Sequence, residues 1–218
     1  MKVPELADLP FATALTPHDG ELDAAADYDT VLFDGVEFAD PRMPDAAFLD
    51  CAFRRVSISD GRLTRARLRD VWMRDVRLTG TFFAESSWQD VTVIGSSLAG
   101  VQLFGAGLRR VVFSGCKLDS VNFRGAELTD VIFDRCVLRH VDFGGAKLSG
   151  CAFPGAELTG VELTKVTLER TDLRGASLGL VIDSESLRGA IISPAQLAIA
   201  APVLAEALGI VVEDETPA

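Results

Sequence analysis

Large apolar residues recur at every fifth position of this 218-residue chain, from Phe33 to Leu178 without a break. A second column lies two residues earlier, from Val31 to Ala176, and is mostly small; neither column contains a charged residue. A period of five matches neither the 3.6 residues of a helical turn nor the two of a flat strand, so the chain must turn once in each repeat. Four turns close a square coil of twenty residues with both columns inside, and the coils stack at a spacing of about 4.8 Å.

Units such as VNFRG at 121–125 and AELTD at 126–130 resemble the pentapeptide-repeat family. This resemblance implies an all-β fold, a right-handed quadrilateral β-helix (pentapeptide-repeat solenoid) with a short C-terminal helical cap. We place an N-terminal arm at residues 1–30, the solenoid at 31–181, and the C-terminal cap with its acidic tail at 182–218. The residues expected to stack in the core are Phe33, Phe53, Phe113, Phe123, Phe133, Phe143 and Phe153.

Both ends of a solenoid need covers, because an open coil exposes strand edges and core. Residues 1–30 carry scattered leucines and Phe11 among prolines and acids, and we expect an irregular arm folded over the first coil. At the other end, Ser193 and Pro194 are favourable residues for a helix start, and Gly209 is a natural stop. Pro202 interrupts this span, so we expect a kink or two short helices near 194–200 and 202–208, and then a short strand at 210–212.

The stretch 187–214 resembles the C-terminal cap of the quinolone-resistance (Qnr-type) members of this family. It contains RGA at 188–190, an Ala/Leu-rich helix and LGI at 208–210. The resemblance implies a homodimer joined through this end and a rod that binds DNA gyrase by resembling duplex DNA in shape and charge. The candidate dimer interface is then Leu197, Val203, Leu204 and Leu208. The alternative is that these side chains only seal the last coil.

No set of residues has the spacing of a catalytic or metal site. His18 and His140 lack neighbouring ligands at metal-binding spacing, and no nucleophile elbow, phosphate-binding loop or dinucleotide fingerprint occurs. All four cysteines fall in the small inward column, where a thiol is a compact apolar filler, and we expect them to be reduced; they are Cys51, Cys116, Cys136 and Cys151. We therefore expect no enzyme and no catalytic, cofactor-binding or metal-binding residue.

The start of the chain mixes Lys2, Pro4, Glu5 and Asp8, unlike the apolar run of a secretory signal. No window of eighteen residues is continuously apolar, as a membrane span would require. The expected location is the cytoplasm, without membrane association and without direct nucleic acid binding.

Residues twenty positions apart lie above one another, so the outward side chains can be assigned to columns. One column, the apolar stripe, consists of Leu32, Ala52, Trp72, Thr92, Val112, Ile132 and Ala152. Phe82 and Phe104 form a smaller outward patch, which we expect one face over. Because exposed apolar area usually marks an interface, Trp72, Val112, Ile132, Phe82 and Phe104 are the candidate partner surface. Covering of the stripe by the N-terminal arm is an equally good interpretation.

The net charge of −11 resides at the two ends: residues 1–30 contribute −6, residues 31–180 are neutral, and residues 181–218 contribute −5. At one corner, Asp50, Asp70, Asp90 and Asp130 form an acidic ladder that could imitate DNA phosphates. Asp is also a favoured turn residue, and nearby arginines support that second interpretation.

Residues 54–77 form an arginine belt with eight arginines and three aspartates, a local charge of +5. Such a belt would repel a positively charged DNA-binding surface. It could instead meet an acidic partner or the acidic segment 19–29, or form a solvated face.

Two functions remain. The first is an interaction scaffold with an unidentified protein partner, which the apolar stripe and the neutral solenoid favour. The second is a DNA mimic that binds DNA gyrase or another type II topoisomerase and protects it from fluoroquinolones or a toxin.

Overall fold

The computed structural model describes residues 3–18, 20, 27–183 and 185–213. These residues form a parallel β-solenoid of about 8 turns followed by one α-helix, which confirms the predicted fold class. Each coil has four faces, numbered 1 to 4 in chain order, and strand partners on neighbouring coils are twenty residues apart, as with Phe113 opposite Phe133.

Three faces are continuous sheets. The strands of face 1 are Asp27–Asp29, Ala47–Leu49, Arg67–Arg69, Ser87–Gln89, Gly107–Arg109, Glu127–Thr129, Lys147–Ser149 and Thr167–Glu169. The strands of face 2 are Thr16–His18, Val31–Asp34, Ala52–Arg54, Trp72–Arg74, Thr92–Ile94, Val112–Ser114 and Ile132–Asp134. The strands of face 3 are Glu37–Ala39, Ser57–Ser59, Arg77–Thr79, Ser97–Ala99, Lys117–Asp119, Val137–Arg139, Glu157–Glu162 and Ser177–Val181.

Isolated bridges replace strands on the fourth face. They connect Arg42, Arg62, Phe82, Gln102, Asn122, Asp142 and Glu162. Face 2 also continues by bridges through Ala152 to Asp172, where the pair Thr171–Asp172 meets the last strand, Ala190–Ile191.

Aromatic rings stack through the lumen from coil to coil. Phe113 and Phe133 have ring centroids 5.1 Å apart and planes inclined by 3°, and Phe133 and Phe153 repeat this stacking at 4.9 Å and 14°. Phe123 and Phe143 form a second stack at 5.0 Å. All seven residues expected in the core stack are buried, so the lumen is a packed core.

The corners explain the fifth residue of each repeat. Every fifth residue from Thr30 to Gly175 has a positive φ, between +48° and +80°. Side chains with a Cβ rarely adopt this left-handed conformation, whereas glycine does so freely and Asp tolerates it better than most residues. The turn position is therefore rich in Gly and Asp because of backbone geometry.

The N-terminal arm contains a 3₁₀ helix, Leu6–Asp8, and the strand Thr16–His18, which pairs with Val31–Asp34. Regular pairing starts before Val31, since Tyr28 is buried and its ring stacks on Phe48 at 5.3 Å.

At the other end the register slips by one residue. Thr159 lies opposite Gly179, twenty residues on, but Val161 lies opposite Leu180, nineteen residues on. The five-residue phase of the sequence ends at this point, and one irregular coil follows.

A single α-helix, Pro194–Ala207, closes this end of the rod. Ser193 caps it, with Gln196 as the other half of a capping box, and Gly209 follows with a φ of +71°. The expectation of two short helices was wrong, because the helix is continuous through Pro202. Losing one hydrogen bond costs less than nucleating a second helix. The strand expected at 210–212 was also wrong: the Ile210 N–H donates to the Ala205 carbonyl instead of to a neighbouring strand.

The side chain of Gln196 ends the hydrogen-bond ladder of face 3. Along this face each inward carbonyl accepts from the N–H twenty-one residues later, as with Ala156 and Ser177 at 2.9 Å. No further regular coil exists to serve the Ala176 carbonyl, and Gln196 Nε2 donates to it at 2.8 Å and to the Leu173 carbonyl at 2.6 Å. Gln196 is accordingly the one buried residue among the described residues of the helix.

Candidate interaction surface

The N-terminal arm crosses the first coils of the apolar stripe on face 2. The indole Nε1 of Trp72 donates to the Pro4 carbonyl at 3.0 Å, and the Arg74 guanidinium forms two hydrogen bonds to the Glu5 carboxylate. From there the arm returns to the first coil, where Thr16 pairs with Val31. The arm therefore extends from the third coil to the first.

Burial along the stripe follows this path. Trp72 is 1% exposed and Ala52 is 0% exposed, although both side chains point outward. Ala152, in the same column but beyond the arm, is half-buried, as are Val112 and Ile132. The expectation that Trp72 is exposed partner surface thus requires correction, because the arm covers it. Val112 and Ile132 stay accessible.

The other candidate patch lies on the opposite side of the rod. Phe82 and Phe104 belong to face 4, two faces from the stripe and not one. Phe104 is 40% exposed, whereas Phe82 is half-buried with the Arg62 guanidinium 5.4 Å from its ring centroid. These two side chains therefore form a separate, smaller patch.

The C-terminal cap holds the largest group of exposed apolar side chains. Of the four residues proposed for a dimer interface, Leu197, Val203 and Leu208 are exposed and Leu204 is half-buried. Sequence reasoning missed Ile199, which is 73% exposed, and it expected a strand where Ile210, Val211 and Val212 are exposed. A helix that is apolar on nearly all sides normally lies within a protein core.

The acidic ladder consists of corner residues. Asp50, Asp70, Asp90 and Asp130 all have φ between +51° and +55°. Asp90 accepts two hydrogen bonds from the Arg110 guanidinium, which lower the pKa of its carboxyl. Burial and the neighbouring Asp70 raise the pKa of Asp50. Local conformation accounts for aspartate at these positions. Two of the four charges are paired with an arginine, Asp90 with Arg110 and Asp70 with Arg69 at 3.5 Å.

Three arginines of the belt bind acids of the preceding coil. Arg54 and Arg55 both bind the Asp34 carboxylate, and these hydrogen bonds lower the pKa of Asp34 to about 2. Arg65 binds Asp45 through two hydrogen bonds of 2.7 Å.

The remaining contacts of the belt are looser or involve the arm. Arg67 is 3.8 Å from an Asp27 carboxylate oxygen, and Arg74 binds Glu5 in the arm. Of the acidic segment proposed to meet the belt, residues 19 and 21–26 lie outside the described residues. A count over residues 54–77 misses the partners of Arg54 and Arg65 because Asp34 and Asp45 lie twenty residues earlier, a spacing that the period itself predicts.

The histidines lie at a corner and against a core ring, and the cysteines are buried. His140 occupies an exposed corner, and the His18 ring lies 5.0 Å from that of Phe33. All four cysteines are buried and free, and burial raises the pKa of the Cys51 and Cys151 thiols to about 11. In the described part of the chain, no group of three or more His, Cys, Asp or Glu side chains could hold a metal ion. No helix there is long and apolar enough to cross a membrane.

Comparison with known proteins identifies the repeat. Residues 106–179 match a family model described as a pentapeptide repeat region. A search of curated proteins gave no significant match. Similar solved structures include QnrB1, a plasmid-mediated fluoroquinolone resistance protein, at 20% identity over 91% of this chain and 96% of that chain, with a TM-score of 0.45.

Two further structures are similar in the same way. HetL from the cyanobacterium Nostoc sp., involved in heterocyst differentiation regulation, has 19% identity over 76% of this chain and 91% of that chain, with a TM-score of 0.36. A pentapeptide repeat protein from the Arabidopsis thaliana thylakoid lumen has 24% identity over 44% of this chain and 69% of that chain, also with a TM-score of 0.36. The residues that match the pentapeptide repeat region, 106–179, lie within the solenoid, and the coils before them continue the same solenoid in register.

Proposed function

We propose that this protein is a non-enzymatic scaffold that binds another protein through its outer surface. The observation that carries the proposal is the contrast between a filled lumen and an exterior with uncovered apolar side chains. Small-molecule sites need a concave pocket with convergent polar groups, and the lumen is instead packed with aromatic and aliphatic side chains. Buried free thiols suit a reducing compartment such as the cytoplasm.

Photo-crosslinking tests the scaffold function. We expect a benzophenone amino acid placed at Ile132 or at Phe104 to form a discrete adduct with one cellular protein. Lys147, an exposed residue of face 1, serves as the matched control and should give no such adduct. The absence of adducts at both test positions, or the same adducts at all three, would exclude binding through these surfaces.

We further propose that two copies join through the C-terminal helix. Leu197 and Leu204 lie on one strip of this helix, seven residues apart, and Leu208, the C-cap residue, follows four residues later. The helix offers few polar groups to solvent. Association of two such helices buries apolar surface that is otherwise exposed, and a two-fold dimer places the same residues on both sides.

Single charges introduced at Leu197 or at Leu208 should dissociate the dimer. We expect light scattering to give twice the chain mass of 23.3 kDa for the native protein and the single mass for Leu197→Glu or Leu208→Lys. Each charge suits the helix dipole at its position, so circular dichroism should stay unchanged. Phe104→Glu is the control and should remain dimeric. A monomeric native protein would refute the proposal.

The gyrase-binding DNA mimic is the alternative. The pairing of solenoid charges across coils weakens it, because acids such as Asp34 and Asp45 are neutralised by arginines. In a supercoiling assay with purified gyrase, with and without a fluoroquinolone, inhibition or protection at micromolar concentrations would favour this alternative over an unrelated partner.

A further inference from the structure

The arm and the surface beneath it differ in burial. None of the described arm residues 3–18 is buried, yet the outward side chains of Ala52 and Trp72 beneath the arm are almost completely so. A segment with few buried contacts opens at low free-energy cost. The arm therefore has few buried contacts of its own, although the surface beneath it includes the almost fully buried side chain of Trp72.

Near the start of the arm, Pro4 and Glu5 form hydrogen bonds with two side chains of face 2. The Trp72 indole N–H donates to a backbone carbonyl, and Arg74 binds a carboxylate one residue later. The Arg74 guanidinium also lies 5.6 Å from the Trp72 ring centroid, so the cation and the ring form one unit. An extended segment with an apolar residue next to an acidic one satisfies both groups.

The apolar stripe continues beyond the point where the arm binds. Thr92, Ile94, Val112 and Ile132 follow Trp72 along face 2, half-buried and without charge. On the same face the next charged side chain is Asp134, which Ser114 and Arg135 hold by hydrogen bonds. The surface under the arm and the rest of the stripe thus form one continuous surface on face 2.

We propose that the arm is a displaceable cover and that this surface of face 2 binds an extended segment of a partner protein, with an apolar residue followed by a carboxylate. The partner segment takes the place of Pro4 and Glu5 on Trp72 and Arg74 and extends along Val112 and Ile132. This inference rests on the proposed scaffold function and adds a regulatory step, because the arm competes with the partner for the same surface.

A peptide with the sequence of residues 3–11, VPELADLPF, is the probe for this site. In the full-length chain, Glu5→Lys repels Arg74 and should loosen the arm. We expect the labelled peptide to bind the Glu5→Lys variant about fivefold more tightly than the native protein, as loss of one charge pair implies. Glu37→Lys, which changes an exposed acid on face 3, is the matched control and should bind like the native protein.

A charge swap separates recognition from general loosening. The Arg74→Glu variant should bind VPKLADLPF and reject VPELADLPF, whereas a merely structural ion pair would show no such exchange. In a Trp88→Phe background, Trp72 is the remaining tryptophan, and Glu5→Lys should increase its quenching by acrylamide. Hydrogen exchange tests the native protein without any substitution. The backbone amides of residues 3–15 should exchange faster than those of the stripe beneath them.

Equal peptide affinity for all variants, or exchange of residues 3–15 as slow as that of the solenoid, would overturn the proposal. A dimer lost in Glu5→Lys but kept in Leu197→Glu would assign this surface of face 2 to the arm of a second copy and also overturn the proposal. The two proposals fail separately: peptide binding without an adduct at either Ile132 or Phe104 refutes the scaffold function, and an Ile132 adduct without the charge swap refutes the displaceable arm.

Discussion

Replacing Phe133 by alanine should lower the free energy of unfolding by about 3–5 kcal/mol, the usual cost of removing a buried aromatic ring. The ring of Phe133 is fully buried and is stacked between those of Phe113 and Phe153, at 5.1 Å and 4.9 Å. Phe123 and Phe143 contact it edge-on. The substitution leaves a cavity bounded by four rings, and it also removes aromatic pairs worth about 0.5–1.5 kcal/mol each beyond their buried area.

Chemical denaturation followed by circular dichroism measures this loss. Phe104→Ala is the matched control, because the same atoms are removed from a side chain that is 40% exposed on face 4. We expect the control to cost about 1 kcal/mol or less. Equal losses for the two variants would mean that the lumen does not determine stability.

Replacing Gln196 should release the C-terminal end of the rod. Gln196→Met keeps the size of the side chain but removes the donor to the Ala176 and Leu173 carbonyls. The Leu173 carbonyl keeps the Ala176 N–H, whereas the Ala176 carbonyl loses the one partner that the structure gives it. An unsatisfied buried acceptor costs about 1–3 kcal/mol, and we expect a loss of this size.

Gln196→Glu should be more damaging than Gln196→Met, since its carboxylate would face two carbonyl oxygens without a proton to donate. Hydrogen exchange should show the loss near the last coil, at Leu173 and Ser177, more than at Phe113. Gln89→Met is the control, because the amide of this half-buried residue donates to the side chain of Asp90 at 3.2 Å and does not end a backbone ladder. A native denaturation midpoint in both Gln196 variants would contradict this role.

The solenoid itself could be predicted from the sequence because the five residues of each repeat determine which side chains point inward, which point outward and where the chain turns. Phe123 must lie in the lumen and Gly125 at a corner whichever coil they occupy, since a period of five allows one arrangement of inside, outside and turn. The same period places Asp34 below Arg54 and Asp45 below Arg65, twenty residues apart. Local pattern and backbone geometry therefore suffice for the rod and for much of its charge pairing.

The ends of the rod depended on the tertiary structure. The sequence identifies Trp72 as outward, but only the folded chain shows that the Pro4 carbonyl, 68 residues away, accepts its indole N–H and that the arm covers it. Likewise, the sequence presents Gln196 as an ordinary helix residue. Only the folded chain shows that its side chain donates to the Ala176 carbonyl. Residues outside the repeat carry no period, so their positions follow from long-range contacts that no local pattern encodes.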